Sequence, residues 1–199
     1  MVNPLTGLIN QLKKFPGVGQ KSAERLAFYL ISISKNEVEQ LTSEIILTKK
    51  NICYCESCFN ISFEKICSIC SSTSRDKTKL CIVAEPKDIY ALEKSNAYNG
   101  IYHVLGGLIS PLDNIEPESL RINELVVRIK NNAFNEIILA INPSVEGDTT
   151  TMYLLSILKP FNIKYSKLAH GLPMGANIDY TDEITLKQAI NGRTEVSVN

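Results

Sequence analysis

The chain has 199 residues, its 21 basic and 21 acidic side chains cancel to a formal charge of zero, and 44% of the residues are hydrophobic. That length holds one medium domain or one domain with small modules attached, and a net charge of zero excludes a protein that is basic over its whole surface, so any affinity for a polyanion must reside in a local patch. Residues 1–15 carry no charged segment followed by a long apolar run, and the longest such run, Leu26 to Ile31, is far short of the roughly 20 residues of a membrane span; the expectation is a protein without a signal peptide, in the cytoplasm, where thiols stay reduced.

Residues 3–50 read as helices: Leu5 to Lys14, a break at Pro16-Gly17-Val18-Gly19, Gln20 to about Ser32, and Val38 to Lys50, with Lys49 and Lys50 a solvated helix end. In the second helix Ala23, Leu26, Ala27 and Leu30 share one face at i, i+3, i+4 and i+7, and Lys21 and Arg25 lie opposite. The glycines of the break admit torsions that other residues avoid and allow close backbone approach. The break runs straight into a helix N-terminus, where unpaired amides and the dipole favour an anion such as a DNA phosphate. Within residues 1–30, Lys13, Lys14, Lys21 and Arg25 face the single acid Glu24, a local excess of three positive charges that the remainder of the chain balances. This arrangement resembles the helix-hairpin-helix motif, which grips the sugar-phosphate backbone without reading sequence. The plainer alternative is a helical hairpin with a glycine turn and solvated charges.

Next comes Cys55-Glu-Ser-Cys58 … Cys67-Ser-Ile-Cys70, spaced C-x2-C-x8-C-x2-C. Two such knuckles can close a tetrahedral sulfur shell on one Zn²⁺ with no position open to substrate, which makes the site structural. The rivals are a disulfide pair and a redox CxxC; paired CxxC motifs in a chain without secretory features favour zinc on Cys55, Cys58, Cys67 and Cys70. Cys53 is a conceivable spare ligand, but it sits too near Cys55 for a knuckle, and Cys81 is expected as a small buried hydrophobe. Residues 71–79 have the composition of a linker.

From Leu80 the pattern changes. Leu80 to Ala84, Ile101 to Leu105, Glu136 to Ile141 and Ile163 to Leu168 read as strands; Pro86 to about Lys94, Ser119 to Asn131 and Glu146 to Leu158 read as helices. Short apolar strands alternating with helices predict a parallel sheet covered on both faces. The segments from Gly106 to Asp113 and from His170 to Gly175 are unusually apolar for loops and are expected to pack under the sheet edge or between subunits; His103 and His170 are expected to be structural.

Asn142-Pro143-Ser144-Val145-Glu146-Gly147-Asp148 follows the strongest strand, at the sheet end where parallel α/β folds place functional groups. It resembles the D-x-D-x-E-G-E type of signature of Toprim domains, whose carboxylates hold Mg²⁺ for phosphoryl transfer. The two aspartates of that signature are replaced by Asn142 and Ser144, and the acid after the first strand by Ala84 when Asp88 is aligned four residues on; Glu85 is one place off, which turns a side chain elsewhere. Glu146, Asp148 and Asp88 remain, and none of the eight tyrosines stands out as a nucleophile.

The hairpin, the cysteine module and the altered Toprim segment, in that order, together with Tyr102 to Asp113, Asn142 to Gly147 and Ala169 to Gly175, resemble the RecR family of bacterial recombination proteins over nearly the whole chain. The resemblance implies an α/β protein with small modules: a helix-hairpin-helix region over 1–52, a four-Cys zinc module over 53–72, a Toprim-like α/β domain over 78–175 and a C-terminal helix or strand segment over 176–199. It implies a non-catalytic mediator of DNA repair, a homotetrameric ring that encircles DNA near the nucleoid and works with RecO, and in many bacteria RecF, to load RecA on SSB-coated single strands. Lys21 and Arg25 would be the main phosphate contacts, aided by Lys13 and Lys14, with Gly17 and Gly19 shaping the turn; Glu146, Asp148 and Glu85 would be candidates for partner contact. Ala84, where the family commonly has Glu, departs from the pattern. The competing reading is a Mg²⁺-dependent nuclease or topoisomerase-like enzyme of the Toprim type.

Overall fold

The computed structural model describes residues 4–169 and 171–195, and this part of the chain divides after Ile52 into two compact units. His170, expected to be structural, lies outside the described residues.

The N-terminal unit consists of α1 (Thr6–Leu12), α2 (Gln20–Ser32) and α3 (Lys35–Asn51). Its small core is Ile9 packed with Ala23 and Ala27, flanked by Leu5, Leu12 and Val18. The alanines are fully buried, whereas Leu26, expected on the same face, is 41% exposed. Helix α3 begins three residues before the expected Val38, because Ser34 and Glu37 form a capping box. The Glu37 amide donates to Ser34 Oγ at 3.3 Å and the Ser34 amide to the Glu37 carboxylate at 2.9 Å. The Ser34 hydroxyl and amide hold the Glu37 carboxyl below its ordinary range. No residue of α3 is buried.

The second unit opens with a short antiparallel ribbon, β1 (Cys53–Tyr54) against β2 (Ile61–Ser62), and a single helical turn, α4 (Ser68–Ser71). There follow β3 (Asp76–Val83), α5 (Pro86–Ser95), β4 (Gly100–Val104), α6 (Ile122–Lys130), β5 (Glu136–Ala140), α7 (Val145–Leu158) and β6 (Lys164–Lys167), then α8 (Glu183–Asn191) after a 3-10 turn at Ile178–Tyr180. The four main strands are all parallel, in the order β4-β3-β5-β6. Strand alternation divides the core: Leu80, Ile82 and Ile137 pack with Leu125, Ile129, Leu154 and Leu158, while Cys81, Val83 and Tyr102 pack with Ile89 and Phe59. The parallel, doubly covered sheet expected from the sequence is present.

The linker expected over 71–79 is corrected in its second half, since β3 starts at Asp76. The polar residues there are engaged rather than loose. The Asp76 carboxylate accepts from the Thr78 hydroxyl at 2.6 Å and lies 3.0 Å from Lys79 Nζ, contacts that hold it down to about 2. Arg75 forks onto Glu93, which also accepts from the Tyr102 hydroxyl at 2.6 Å. The 106–113 loop packs only in part: Ile109 is buried and its amide donates to Thr150 Oγ1 of α7 at 2.9 Å, whereas Leu112 is exposed. Leu172 and Met174 of the other apolar loop are exposed. Among the described residues, no helix is long and apolar enough to cross a membrane.

Both sheet edges are blunted. Strand β6 reads Lys164-Tyr165-Ser166-Lys167, and lysines disfavour pairing with another chain. On β4 the outward Val104 amide donates to the Cys58 carbonyl at 2.9 Å, and Arg128 donates to the Tyr102 carbonyl at 2.6 Å. The cysteine module therefore caps the edge strand of the sheet.

Candidate metal centre and nucleic-acid interface

Ribbon β1–β2 and turn α4 bring Cys55, Cys58, Cys67 and Cys70 together, with all four sulfurs within 4.8 Å of one another and Cys58 Sγ 3.6 Å from Cys67 Sγ. A tetrahedron of sulfurs around a metal at the usual Zn–S length of about 2.3 Å has edges of about 3.8 Å, so the cluster has the right size for one cation. Cys55, Cys58 and Cys67 are buried and Cys70 is partly so; none is in a disulfide. The Cys67 amide donates to Cys55 Sγ at 3.3 Å, a bond that ties the second CxxC to the first. Hydrogen bonds to Cys67 and Cys70 push the Cys58 thiol up, and hydrogen bonds from Cys58 and Cys70 pull Cys67 down. The group can thus hold a metal ion. Cys53 is not drawn in, since its thiol is directed at the Ser62 and Glu64 carbonyls at 3.3 and 3.4 Å. Burial in β3 pushes the Cys81 thiol up to about 12 and keeps it inert.

Knuckle geometry also positions a residue that the sequence did not single out. Phe59 follows Cys58 with φ +63°, and its ring sits edge-on to His103 at 5.4 Å beneath the Arg121 guanidinium at 5.1 Å. His103 is fully buried, with Nε2 2.8 Å from the Arg121 carbonyl and Nδ1 without a partner. Burial lowers its pKa to about 4. A cleft of about 630 Å³ separates the cysteine module from α6, between Glu56, Cys70 and Lys77 on one side and Asn123, Val127 and Arg128 on the other.

In the N-terminal unit, the turn between α1 and α2 places Gly17 at φ +78°, a conformation that calls for glycine. Gly19 differs from expectation. It is the extended N-cap of α2, at φ −81°, and a side chain there would meet nothing within 4 Å; its bareness leaves the first-turn amides of α2 uncapped. Lys13, Lys14, Lys21 and Arg25 are all exposed, and among the described residues none of them is in an ion pair. The one nearby acid, Glu24, instead accepts a hydrogen bond from Gln20. Charge at this turn is not neutralised from within.

At the C-terminal ends of β3 and β5 the Toprim acids are present but dispersed. The Asp88 carboxylate accepts from the Glu85 amide at 2.8 Å, and Glu85 pairs with Lys87 at 2.8 Å. Ser144, where the signature has an aspartate, caps α7 by accepting from the Gly147 amide at 3.1 Å. The amide of Glu146 itself and the Ser144 hydroxyl hold the Glu146 carboxyl below its usual range. Gly147 is required: a Cβ there would lie 2.0 Å from the Asn142 carbonyl oxygen. Among the described residues, the four cysteines are the metal-ligating side chains that converge in a group of three or more; Glu85, Asp88, Glu146 and Asp148 do not.

Comparison with known proteins follows the same three parts. Residues 5–47 match the family model for the RecR helix-hairpin-helix, residues 78–169 that for the Toprim domain, and residues 171–194 that for the RecR C-terminal region. The "Recombination protein RecR" of Gloeothece citriformis (strain PCC 7424) is 48% identical over 196 residues, 98% of each chain. That of Rippkaea orientalis is 48% identical over 193 residues, covering 97% of this chain and 98% of the relative, and that of Acaryochloris marina 47% over 193 residues, covering 97% and 96%. Near half-identity sustained from the hairpin through the cysteines to the C-terminal segment leaves one placement, and the chain belongs to the RecR family of recombination proteins.

Proposed function

We propose that this chain is a DNA-binding mediator of recombinational repair that performs no chemistry of its own. The observation that carries the reading is the turn before α2, where four exposed cations without acidic partners adjoin an uncapped helix N-terminus. Lys21 and Arg25 contact phosphates, Lys13 and Lys14 reinforce them, and Gly17 and Gly19 give the strand access to the amides. Contacts of this type read no bases, so binding is independent of sequence and falls steeply with salt.

The metal in the reading is one structural Zn²⁺ held by Cys55, Cys58, Cys67 and Cys70. Bound there it supplies a fixed tetrahedral node and no open coordination site. Replacement of the signature aspartates by Asn142 and Ser144 supports the absence of Mg²⁺ chemistry; Glu146, Asp148 and Glu85, the last beside its Lys87 partner, are then the acids that contact a protein partner, RecO and, where present, RecF, during RecA loading on SSB-coated strands. Contact between copies, in the reading a homotetrameric ring, would cover apolar side chains of the N-terminal unit: Phe28, Tyr29, Ile31, Ile45 and Ile46 are each more than half exposed. Mass in solution should then be four times that of the chain, and a monomer at working concentration would contradict the ring.

Titration of labelled single- and double-stranded oligonucleotides tests the DNA grip. Lys21→Ala and Arg25→Ala together should weaken binding to all sequences alike by about tenfold or more and flatten the salt dependence by roughly 0.7–0.9 per lost phosphate contact. Unchanged affinity in the double variant would reduce the hairpin to scaffolding.

A further inference from the structure

We propose that Phe15 is a base-stacking residue, which makes the hairpin a grip for unpaired DNA bases as well as for phosphates. This rests on the DNA-binding reading above and deepens it. Phe15 stands in the turn directly after Lys13 and Lys14 and four residues before Gly19, the N-cap of α2. Its backbone is fixed on both sides: its amide donates to the Leu12 carbonyl at 3.1 Å, and its carbonyl accepts from the Val18 amide at 3.1 Å. Its ring lies outside the buried α1–α2 core of Ile9, Ala23 and Ala27 and is 57% exposed.

An aromatic side chain on a rigid turn, next to lysines, is the pairing used to hold single strands: cations follow the phosphates and the ring offers a face to a base. In a duplex the bases already stack on one another, so the ring gains most on an unpaired strand. Stacking tolerates any base, since each has a π-face, which keeps the sequence independence of the phosphate contacts. The outlying aromatics Phe28 and Tyr29 differ, because they lie within α2 beside the apolar residues assigned above to contacts between copies.

The test compares the wild-type chain, Phe15→Leu, Phe15→Tyr and Lys21→Ala in anisotropy titrations against an oligothymidylate and an abasic strand of equal length. Leucine keeps the apolar bulk without the ring. Phe15→Leu should bind oligothymidylate about fivefold or more weakly, bind the abasic strand like wild type and keep the wild-type salt slope, while Phe15→Tyr retains wild-type affinity. Lys21→Ala should weaken binding to both strands and flatten the slope. Wild-type affinity of Phe15→Leu for oligothymidylate, with Lys21→Ala still impaired, would overturn the stacking role alone. Failure of wild type to bind either strand would instead remove the DNA-binding reading beneath it. A changed solution mass of Phe15→Leu would place the ring in a contact between copies and also overturn the proposal.

Discussion

At the scale of single residues, His103 shows what a sequence withholds. The imidazole is buried between Phe59 and the start of α6, with Nδ1 lacking a partner, and it stays neutral because burial lowers its pKa to about 4 from 6.5. The unfolded chain binds a proton below about 6.5 and the native state does not, so this residue's contribution to stability is complete above that pH and declines as the pH falls toward 4. The loss across that window should be on the order of 2–3 kcal/mol. Urea titrations of wild type and His103→Gln at a series of pH values check it: the difference between them should narrow on acidification, and a constant difference would deny the buried neutral state. The cysteines, by contrast, were legible from spacing alone, because two CxxC pairs have few other uses. Phe59, whose left-handed backbone and Arg121 cover depend on tertiary placement, left no sequence signal. Gly147 was visible only as part of a signature; its reason, the Asn142 carbonyl 2.0 Å from where a Cβ would stand, required the packed turn.

Among elements, the dependence of β4 on the cysteine module is the chief consequence of the fold. Cys58 supplies both a sulfur to the four-cysteine cluster and a carbonyl to the Val104 amide, so the cluster and the sheet edge share one residue. Chelation, or Cys67→Ser, should loosen residues 53–70, lower the melting temperature and speed hydrogen exchange at Val104, while β5 at the sheet centre keeps its protection. Unaltered melting together with no bound metal would refute a structural metal. Element types followed from periodicity, and boundaries strayed where polar residues have tertiary employment. Asp76 to Lys79 looked like linker because their side chains are polar, yet the backbone extends β3 and Asp76 is tied to Thr78 and Lys79. Helix α3 starts at Lys35 rather than the expected Val38 because the Ser34–Glu37 capping box, not apolar periodicity, sets its first turn.

For the molecule as a whole, the order of its parts was readable: a hairpin carrying exposed cations, a four-cysteine cluster and a parallel sheet whose acidic signature is interrupted at Asn142 and Ser144. What could not be read is which apolar side chains remain uncovered in one chain. Leu26 follows the buried stripe of α2 yet is 41% exposed, and α3 buries nothing; both facts depend on neighbours that a single helix pattern does not specify. The central claim is that the protein holds DNA and leaves it chemically intact. Incubation of the purified protein with supercoiled plasmid and Mg²⁺ or Mn²⁺, followed by gel analysis before and after removal of the protein, tests both halves at once. The account predicts a retarded plasmid at low salt that is recovered fully supercoiled. Plasmid that is nicked or relaxed, and spared by Glu146→Gln, would contradict it, as would plasmid that is never retarded.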